Sequence, residues 1–233
     1  TERNPLYHKL VDKFEVRDYV SKKIGDKYLI PMFGVFNNVK DIDFNSLPNK
    51  FALKLTNGSQ NNLICFDKSK IDWNKSKIEI NKWLNKDLYL RTREWPYKGL
   101  KNKIIIEKLI VPKEGELYDY KFWCFNGIPK FVQIDIGRFT NHKRDFYNIE
   151  FDNKLDYTIT YQNSNDLLSK PINYSEMLEI VKKIAKEFKF VRVDLYNDSG
   201  QIYFGEITFY PGNCNEKMST IKLEKEIGDL LEI

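Results

Sequence analysis

Phe190-Val191-Arg192-Val193-Asp194-Leu195-Tyr196 is followed, after Asn197-Asp198-Ser199-Gly200, by Gln201-Ile202-Tyr203-Phe204-Gly205-Glu206-Ile207-Thr208-Phe209. The pattern predicts two hydrophobic strands joined as a hairpin, each carrying a carboxylate at an interior position. A buried carboxylate without a partner is costly, so Asp194 and Glu206 each need a cation or a metal. Alternation puts residues 192, 194 and 196 on one face of their strand, and 204, 206 and 208 on one face of theirs. A register that joins the two even sets would bring Asp194, Glu206 and Thr208 together with Arg192 beside them. Spacing leaves two readings open. One is an all-oxygen site for a hard cation such as Mg2+; the other is a structural cross-strand ion pair between Arg192 and Glu206.

Outward from this hairpin the chain reads as short strands and amphipathic helices. A helix is expected over 174–188, with Met177, Leu178, Val181, Ile184, Ala185 and Phe188 on one face, and another over 221–231. Strands 119–125 and 129–136 are joined by Asn126-Gly127, a strong hairpin signal, and a further strand is expected over 144–151. In the first half, helical spacing runs from 12 to 24 and stops at Gly25. Apolar runs at 28–36, 51–55, 63–66 and 104–110 read as strands, and 73–84 as a helix. Strands in hairpin pairs with helices set apart define an α+β chain rather than repeated βαβ units. No GxGxxG occurs, which also argues against a simple dinucleotide-binding fold.

At 233 residues the chain suits one large domain or two intimate lobes, given about 150 residues per domain. Hydrophobic residues are 42%, charged 30% and aromatic 15%, which excludes an intrinsically disordered chain. Thirty-eight Lys and Arg against 33 Asp and Glu give +5, a mild surplus suited to a polyanionic small ligand. The basic residues are interleaved with acidic ones, so no nucleic-acid partner is expected. Cys65, Cys124 and Cys214 form no CxxC or Cys/His cluster, so no zinc site is expected; the first two sit in apolar runs as buried thiols. An odd, dispersed set of cysteines suits an intracellular, reduced compartment. No apolar run approaches the roughly 20 residues of a membrane span. The start, Thr1-Glu2-Arg3-Asn4, is not a signal peptide and lacks Met, as expected where an upstream segment has been trimmed.

Three further segments carry possible chemistry. Phe51-Ala52-Leu53-Lys54 ends in a lysine beside the turn Asn57-Gly58-Ser59, where an ammonium and backbone N–H groups can meet phosphate; the same pattern also makes an ordinary hairpin. Gly137-Arg138-Phe139-Thr140-Asn141-His142-Lys143-Arg144 is a cationic segment suited to an anionic substrate, or a solvated loop. His142 has no identifiable Ser or Cys partner for a catalytic triad. Asp41-Ile42-Asp43 matches the DxD pattern of many glycosyltransferases, a short pattern that also arises by chance.

Taken in order, these blocks resemble the TupA-like (teichuronopeptide-biosynthesis-like) ATP-grasp proteins of bacterial surface-polysaccharide clusters. The resemblance runs from about Leu10 to Gly228. It is carried by the stretch from Asp12 to Val20, Leu53-Lys54 with Asn57-Gly58-Ser59, Arg93-Glu94-Trp95-Pro96-Tyr97, Glu107-Lys108, Asp119-Tyr120-Lys121-Phe122, Cys124-Phe125-Asn126-Gly127, the stretch from Arg138 to Arg144, and the hairpin quoted above. The phosphate turn departs from the family's Asn-His-Gly-Ser-Gly at Asn57 and Gln60.

The resemblance implies an α+β ATP-grasp fold: two lobes with mainly antiparallel sheets gripping ATP between them. Residues 1–50 would pack on the core, 51–106 form the smaller lobe and 107–233 the larger. Lys13 and Lys54 would contact the phosphates, with Ser59 covering them. Glu107, Lys108, Leu109 and Ile110 would form the hinge reading adenine through the main chain. Asp119 and Lys121 would face ribose and phosphates. Asp194 and Glu206 would hold Mg2+, with Thr208 where many ATP-grasp enzymes carry an Asn ligand. Arg138, Arg144 and Arg192 would fix an acidic substrate and its acylphosphate.

The activity implied is ATP-dependent carboxylate–amine ligation in the bacterial cytoplasm, joining an amine or amino acid to an acidic sugar or other carboxylate. A glycosyltransferase built on Asp41 and Asp43 is the alternative enzyme, and a sugar- or nucleotide-binding module the non-enzymatic one.

Overall fold

The computed structural model describes residues 3–58, 61–113, 115–137 and 141–232. Ser59, Gln60 and the segment 138–140, including Arg138, lie outside them. The chain forms two compact units, Thr1–Ser21 with Leu29–Ile110, and Lys22–Tyr28 with Val111–Ile233. Most of 1–50 therefore belongs to the same unit as 51–106, and the larger segment of the second unit begins after Ile110.

The first unit contains α1 (Leu6–Leu10), the start of α2 (Val16–Ile24), β1 (Met32–Phe36), β2 (Phe51–Leu55), β3 (Asn62–Cys65), α3 (Trp73–Leu84), α4 (Leu88–Thr92) and β4 (Ile104–Lys108). Its sheet has the order β1-β4-β2-β3, antiparallel throughout. Alternation along β2 and β4 sends Phe51, Leu53, Leu55, Ile104 and Ile106 into one core with Ile80 of α3. Ala52, Lys54, Ile105 and Glu107 are thereby left on the opposite face. Asp72 and Asp87 cap α3 and α4 by accepting the N–H groups of Lys75 and Leu90.

Two expectations shift here. The helix expected from residue 12 starts at Val16, because the Asp12 carboxylate takes the N–H groups of Phe14 and Glu15 and holds a turn ahead of it. The strand expected over 28–36 starts at Met32, since 26–28 form a 3-10 turn and Pro31 has no N–H for a ladder.

The second unit carries β5 (Asp119–Phe125), β6 (Ile128–Ile136), β7 (Lys143–Asn148), β8 (Lys154–Leu155), α5 (Tyr174–Ala185), β9 (Phe190–Asp198), β10 (Gln201–Thr208) and α6 (Ile221–Gly228). The six strands run in the order β10-β9-β5-β6-β7-β8, all neighbours antiparallel. Helix α5 packs on β9 and β6 and closes one face. On the other face, α6 supplies Leu223 and Ile227 to an aromatic cluster of Trp123, Phe125, Phe131 and Phe146. Both expected helices end early, α5 at Ala185 and α6 at Gly228.

The deciding hairpin closes through only Ser199 and Gly200, both with positive φ, a tighter loop than 197–200. Its register from that loop pairs Phe204 with Leu195, which would send Glu206 to the face opposite Asp194. A bulge at Gly205 shifts the count by one, so that Glu206 pairs with Asp194 and Thr208 with Arg192. Gly205 is required for close approach: a Cβ there would lie 3.0 Å from the Asp194 carbonyl oxygen and 3.3 Å from the Tyr196 ring. Gly205→Val is therefore expected to destabilise the protein by about 1–3 kcal/mol through forced overpacking, read as a lower urea midpoint. An unchanged midpoint would mean the bulge tolerates a side chain.

Candidate active site

The bulge completes a charged band across the face of the second sheet that α5 leaves uncovered. Strand β5 presents Asp119 and Lys121; β9 sets Asp194 opposite Lys121, and β6 sets Asp135 opposite Asp119 and Gln133 opposite Lys121. Arg144 of β7 faces Asp135. Lys121 Nζ lies 2.5 Å from Asp119 Oδ2 and 2.7 Å from Asp194 Oδ2. Arg192 donates from Nε to Asp194 Oδ1 at 2.7 Å and from Nη2 to Asp194 Oδ2 at 2.8 Å, Glu206 Oε1 at 3.1 Å and Thr208 Oγ1 at 3.2 Å. Asp119, Lys121, Asp194 and Arg192 are buried, whereas the Glu206 side chain is 37% exposed.

Burial opposes the charge on Lys121, but Asp119 and Asp194 more than offset it and its pKa is raised. Burial likewise opposes the charge on Arg192, which Asp194 and Glu206 hold cationic, with its pKa raised. Burial raises the Asp194 pKa, against the pull of Arg192 and Lys121. The cross-strand Arg192–Glu206 pair, one of the two readings of the hairpin, is thus formed. The donor set around it fits a hard cation in kind, since Glu206, Thr208 and Asp194 offer only oxygen. Both Asp194 oxygens already accept hydrogen bonds, so ligation there would require exchange. Among the described residues, no group of three or more His, Cys, Asp and Glu is arranged for a metal.

A second cluster adjoins the band. Asp135 accepts from Arg144 Nε at 2.7 Å and from Gln133 Nε2 at 3.3 Å, with His142 Nε2 3.2 Å away. Arg144 also donates to Glu216 at 2.8 Å and to the Ile159 carbonyl at 3.3 Å. The Tyr161 ring lies 3.7 Å from that of His142, and the Arg144 guanidinium 4.9 Å from Tyr161. Arg144 is buried and committed to two carboxylates, a different setting from an open anion-binding loop. Asp135, Gln133, Glu216 and Tyr161 escaped the reading of the sequence. Asp135 and Gln133 carried the same signal as Asp194, polar residues at interior positions of an apolar strand.

In the first unit, Lys54 on β2 lies 3.1 Å from Glu107 Oε2 on β4, and Arg17 of α2 lies 3.2 Å from Glu107 Oε1. Lys13 Nζ donates to the Gly58 carbonyl at 2.6 Å, and Lys13 N to the Thr56 carbonyl at 2.6 Å. Gly58 has φ +85, a conformation that favours glycine, and a Cβ there would meet Leu88 Cδ2 at 2.9 Å. The Lys108 amide bonds the Pro31 carbonyl, while Leu109 and Ile110 lie beyond β4. Asp41 accepts from Asn38 Nδ2, and Asp43 accepts from the Asn45 amide; both are exposed and serve local turns.

Two antiparallel sheets with this helix placement define the ATP-grasp fold, shared with solved ligases at low identity. D-alanine–D-alanine ligase from Bacillus anthracis matches with TM-score 0.50 and 14% identity, over 95% of this chain and 65% of that one. L-amino acid ligase from Bacillus licheniformis matches with TM-score 0.52 and 15% identity, over 91% and 46%. The ATP-grasp ligase PsnB, complexed with a phosphomimetic precursor variant, Mg and ADP, matches with TM-score 0.52 and 7% identity, over 97% and 59%. The chain thus spans less than two thirds of the length of each of these proteins. No curated protein sequence matches it. The sequence matches the TupA-like ATPgrasp family over residues 1–232, and the chain belongs to that family.

The Lys121 ammonium separates two buried carboxylates, and its loss would leave Asp119 and Asp194 facing each other with Arg192 as the main compensating charge. Lys121→Met is expected to cost about 3–5 kcal/mol, measured by urea denaturation. A cost below about 1 kcal/mol would place the cluster in a far more solvated setting than this burial describes.

Proposed function

We propose that this chain is an ATP-dependent carboxylate–amine ligase working through an acylphosphate. The observation that carries the reading is the buried Lys121–Asp194–Arg192 cluster opening onto half-exposed Glu206 and Thr208: cations for phosphoryl oxygens beside oxygen ligands for Mg2+. Lys54, Lys13 and Ser59 are assigned to the phosphates, and the main chain of 107–110 to adenine. Asp119 and Lys121 are assigned to ribose and phosphate.

Mg2+, held by Asp194 and Glu206 with Thr208 beside them, would supply charge neutralisation on the triphosphate. Lys121 and Arg192 orient the γ-phosphoryl group and bear its developing charge. A carboxylate oxygen of the substrate attacks the γ-phosphorus, the bond to the β-phosphate oxygen breaks, and ADP leaves. The amine nitrogen then attacks the acyl carbon, phosphate departs, and the nitrogen gives its proton to solvent. No covalent bond to the protein is needed, so the chain's contribution is positioning and electrostatics.

The resemblance to surface-polysaccharide proteins supports an acidic sugar as the carboxylate and an amino acid or amine as its partner, with the reaction in the bacterial cytoplasm. Arg138 and Arg144 remain assigned to the acid side, Arg144 through the Asp135–Glu216 cluster.

Supplying ATP with uronic acids and a panel of amino acids is expected to release ADP and phosphate with amide formation. Release of AMP and pyrophosphate would overturn the acylphosphate route. Asp194→Asn and Glu206→Gln are each expected to weaken Mg·ATP binding by about tenfold or more in calorimetry, the worth of a charge-assisted contact. Unchanged affinity in both would return the pair to a purely structural role. Lys54→Met should keep its fold and lose about 100-fold in turnover, the scale of one phosphate-facing donor; near-normal turnover would remove Lys54 from the phosphate grip.

A further inference from the structure

We infer that Arg17 is a positioning residue for the phosphate grip, acting on Lys54 through the shared carboxylate of Glu107; the inference rests on the nucleotide-binding reading above. The Glu107 side chain is only 8% exposed, and its two oxygens are divided between two cations. Oε1 is 3.2 Å from Arg17 Nη1 and Oε2 is 3.1 Å from Lys54 Nζ. Lys54 pairs with Ile105 across β2 and β4, so Glu107 is its diagonal neighbour on the same face, within reach of a long side chain.

Arg17 is itself held in place. Its Nη2 donates to the Ile30 carbonyl at 2.9 Å. The turn ahead of its helix is fixed by Asp12, which accepts the Phe14 and Glu15 amides at 2.9 and 3.0 Å, and by the Lys13 amide, which bonds the Thr56 carbonyl at the end of β2. The guanidinium therefore sits on an anchored scaffold joined to the strand that carries Lys54.

The consequence is electrostatic. Two cations and one carboxylate sum to +1, so Glu107 fixes the Lys54 ammonium without cancelling the site's attraction for an anion. Without Arg17, the trio becomes a neutral pair in which, among the described residues, the nearly buried carboxylate has Lys54 as its ionic partner. Lys54 would then be drawn fully to Glu107 and withheld from phosphate. Glu107 thus gains a side-chain role distinct from the main-chain adenine contact assigned to the same residue.

The test is Mg·ATP calorimetry on the whole chain, with thermal melting to establish that each variant is folded. Arg17→Gln is expected to weaken Mg·ATP by about tenfold. Arg17→Lys keeps the cation and should stay within about threefold of wild type. In a Glu107→Gln background, adding Arg17→Gln should change affinity by less than about twofold, because the carboxylate through which Arg17 acts is gone. A full tenfold loss in that background would mean Arg17 meets the nucleotide directly, and unchanged binding in Arg17→Gln would mean it does not act on the grip; either overturns the inference. If Arg17→Gln does not fold, Arg17→Lys decides alone, and a tenfold loss in that folded variant overturns it. Absence of Mg·ATP binding by the wild-type protein is a separate result that would strike the nucleotide reading itself.

Discussion

The carboxylate of Asp194, buried between Arg192 and Lys121, is the constraint on which the second unit depends. A carboxylate in that position is tolerable only with cations and hydrogen bonds on both oxygens, and it has them from β9 itself and from β5. The cations in turn require carboxylates, which accounts for Asp119 two residues before Lys121 and for Glu206 across the hairpin. Each member needs the same sheet face as the others. That requirement explains the bulge at Gly205: if Gly205 were paired regularly, Glu206 would point to the face closed by α5. Charge balance and backbone geometry are here one problem with one solution.

Much of this could be read from residue order. The hairpin and a carboxylate on each of its strands followed from alternation, and the helices over 73–84, 174–188 and 221–231 from apolar spacing, although the last two end early, at Ala185 and Gly228. The register did not follow from alternation, because counting back from Ser199-Gly200 gives the wrong parity and only the close approach of Gly205 to the Asp194 carbonyl reveals the correction. The delayed start of α2 was hidden for a similar reason: Asp12 competes locally for amides that helical spacing assigns to the helix. Asp135 with Gln133 was legible in principle, since two polar residues interrupt an apolar strand there. Arg17 was not, because its partner Glu107 is 90 residues away in sequence and no pattern within α2 points to β4.

Family membership and fold do not by themselves carry the chemistry. The solved ligases share the architecture at 7–15% identity and are longer chains, so the identity of acid and amine must come from features of this chain. Arg144 is informative here. Read as part of a cationic loop, it suggested an exposed anion hook. In the folded chain its guanidinium is spent on Asp135, Glu216 and a backbone carbonyl, with Tyr161 at its face. An arginine so engaged shapes a surface more than it binds one, and any selectivity it confers would pass through the groups it holds.

The two charged sites differ in a way that bears on the order of binding. In the first unit, Arg17, Lys54 and Glu107 sum to +1 and need nothing further to attract a phosphate. In the second, Lys121 and Arg192 are shared among Asp119, Asp194 and Glu206, so much of their charge is spent on carboxylates. On the proposed reading, Mg2+ would add positive charge where a triphosphate meets that site, whereas Lys54 engages the nucleotide with or without it. The exposure of Glu206 fits this role, since it is the one carboxylate of the three that solvent, and hence a hydrated cation, reaches readily. On that reading Asp194, nearly closed to solvent and with both oxygens accepting hydrogen bonds, would exchange one of them for the cation that Glu206 meets first.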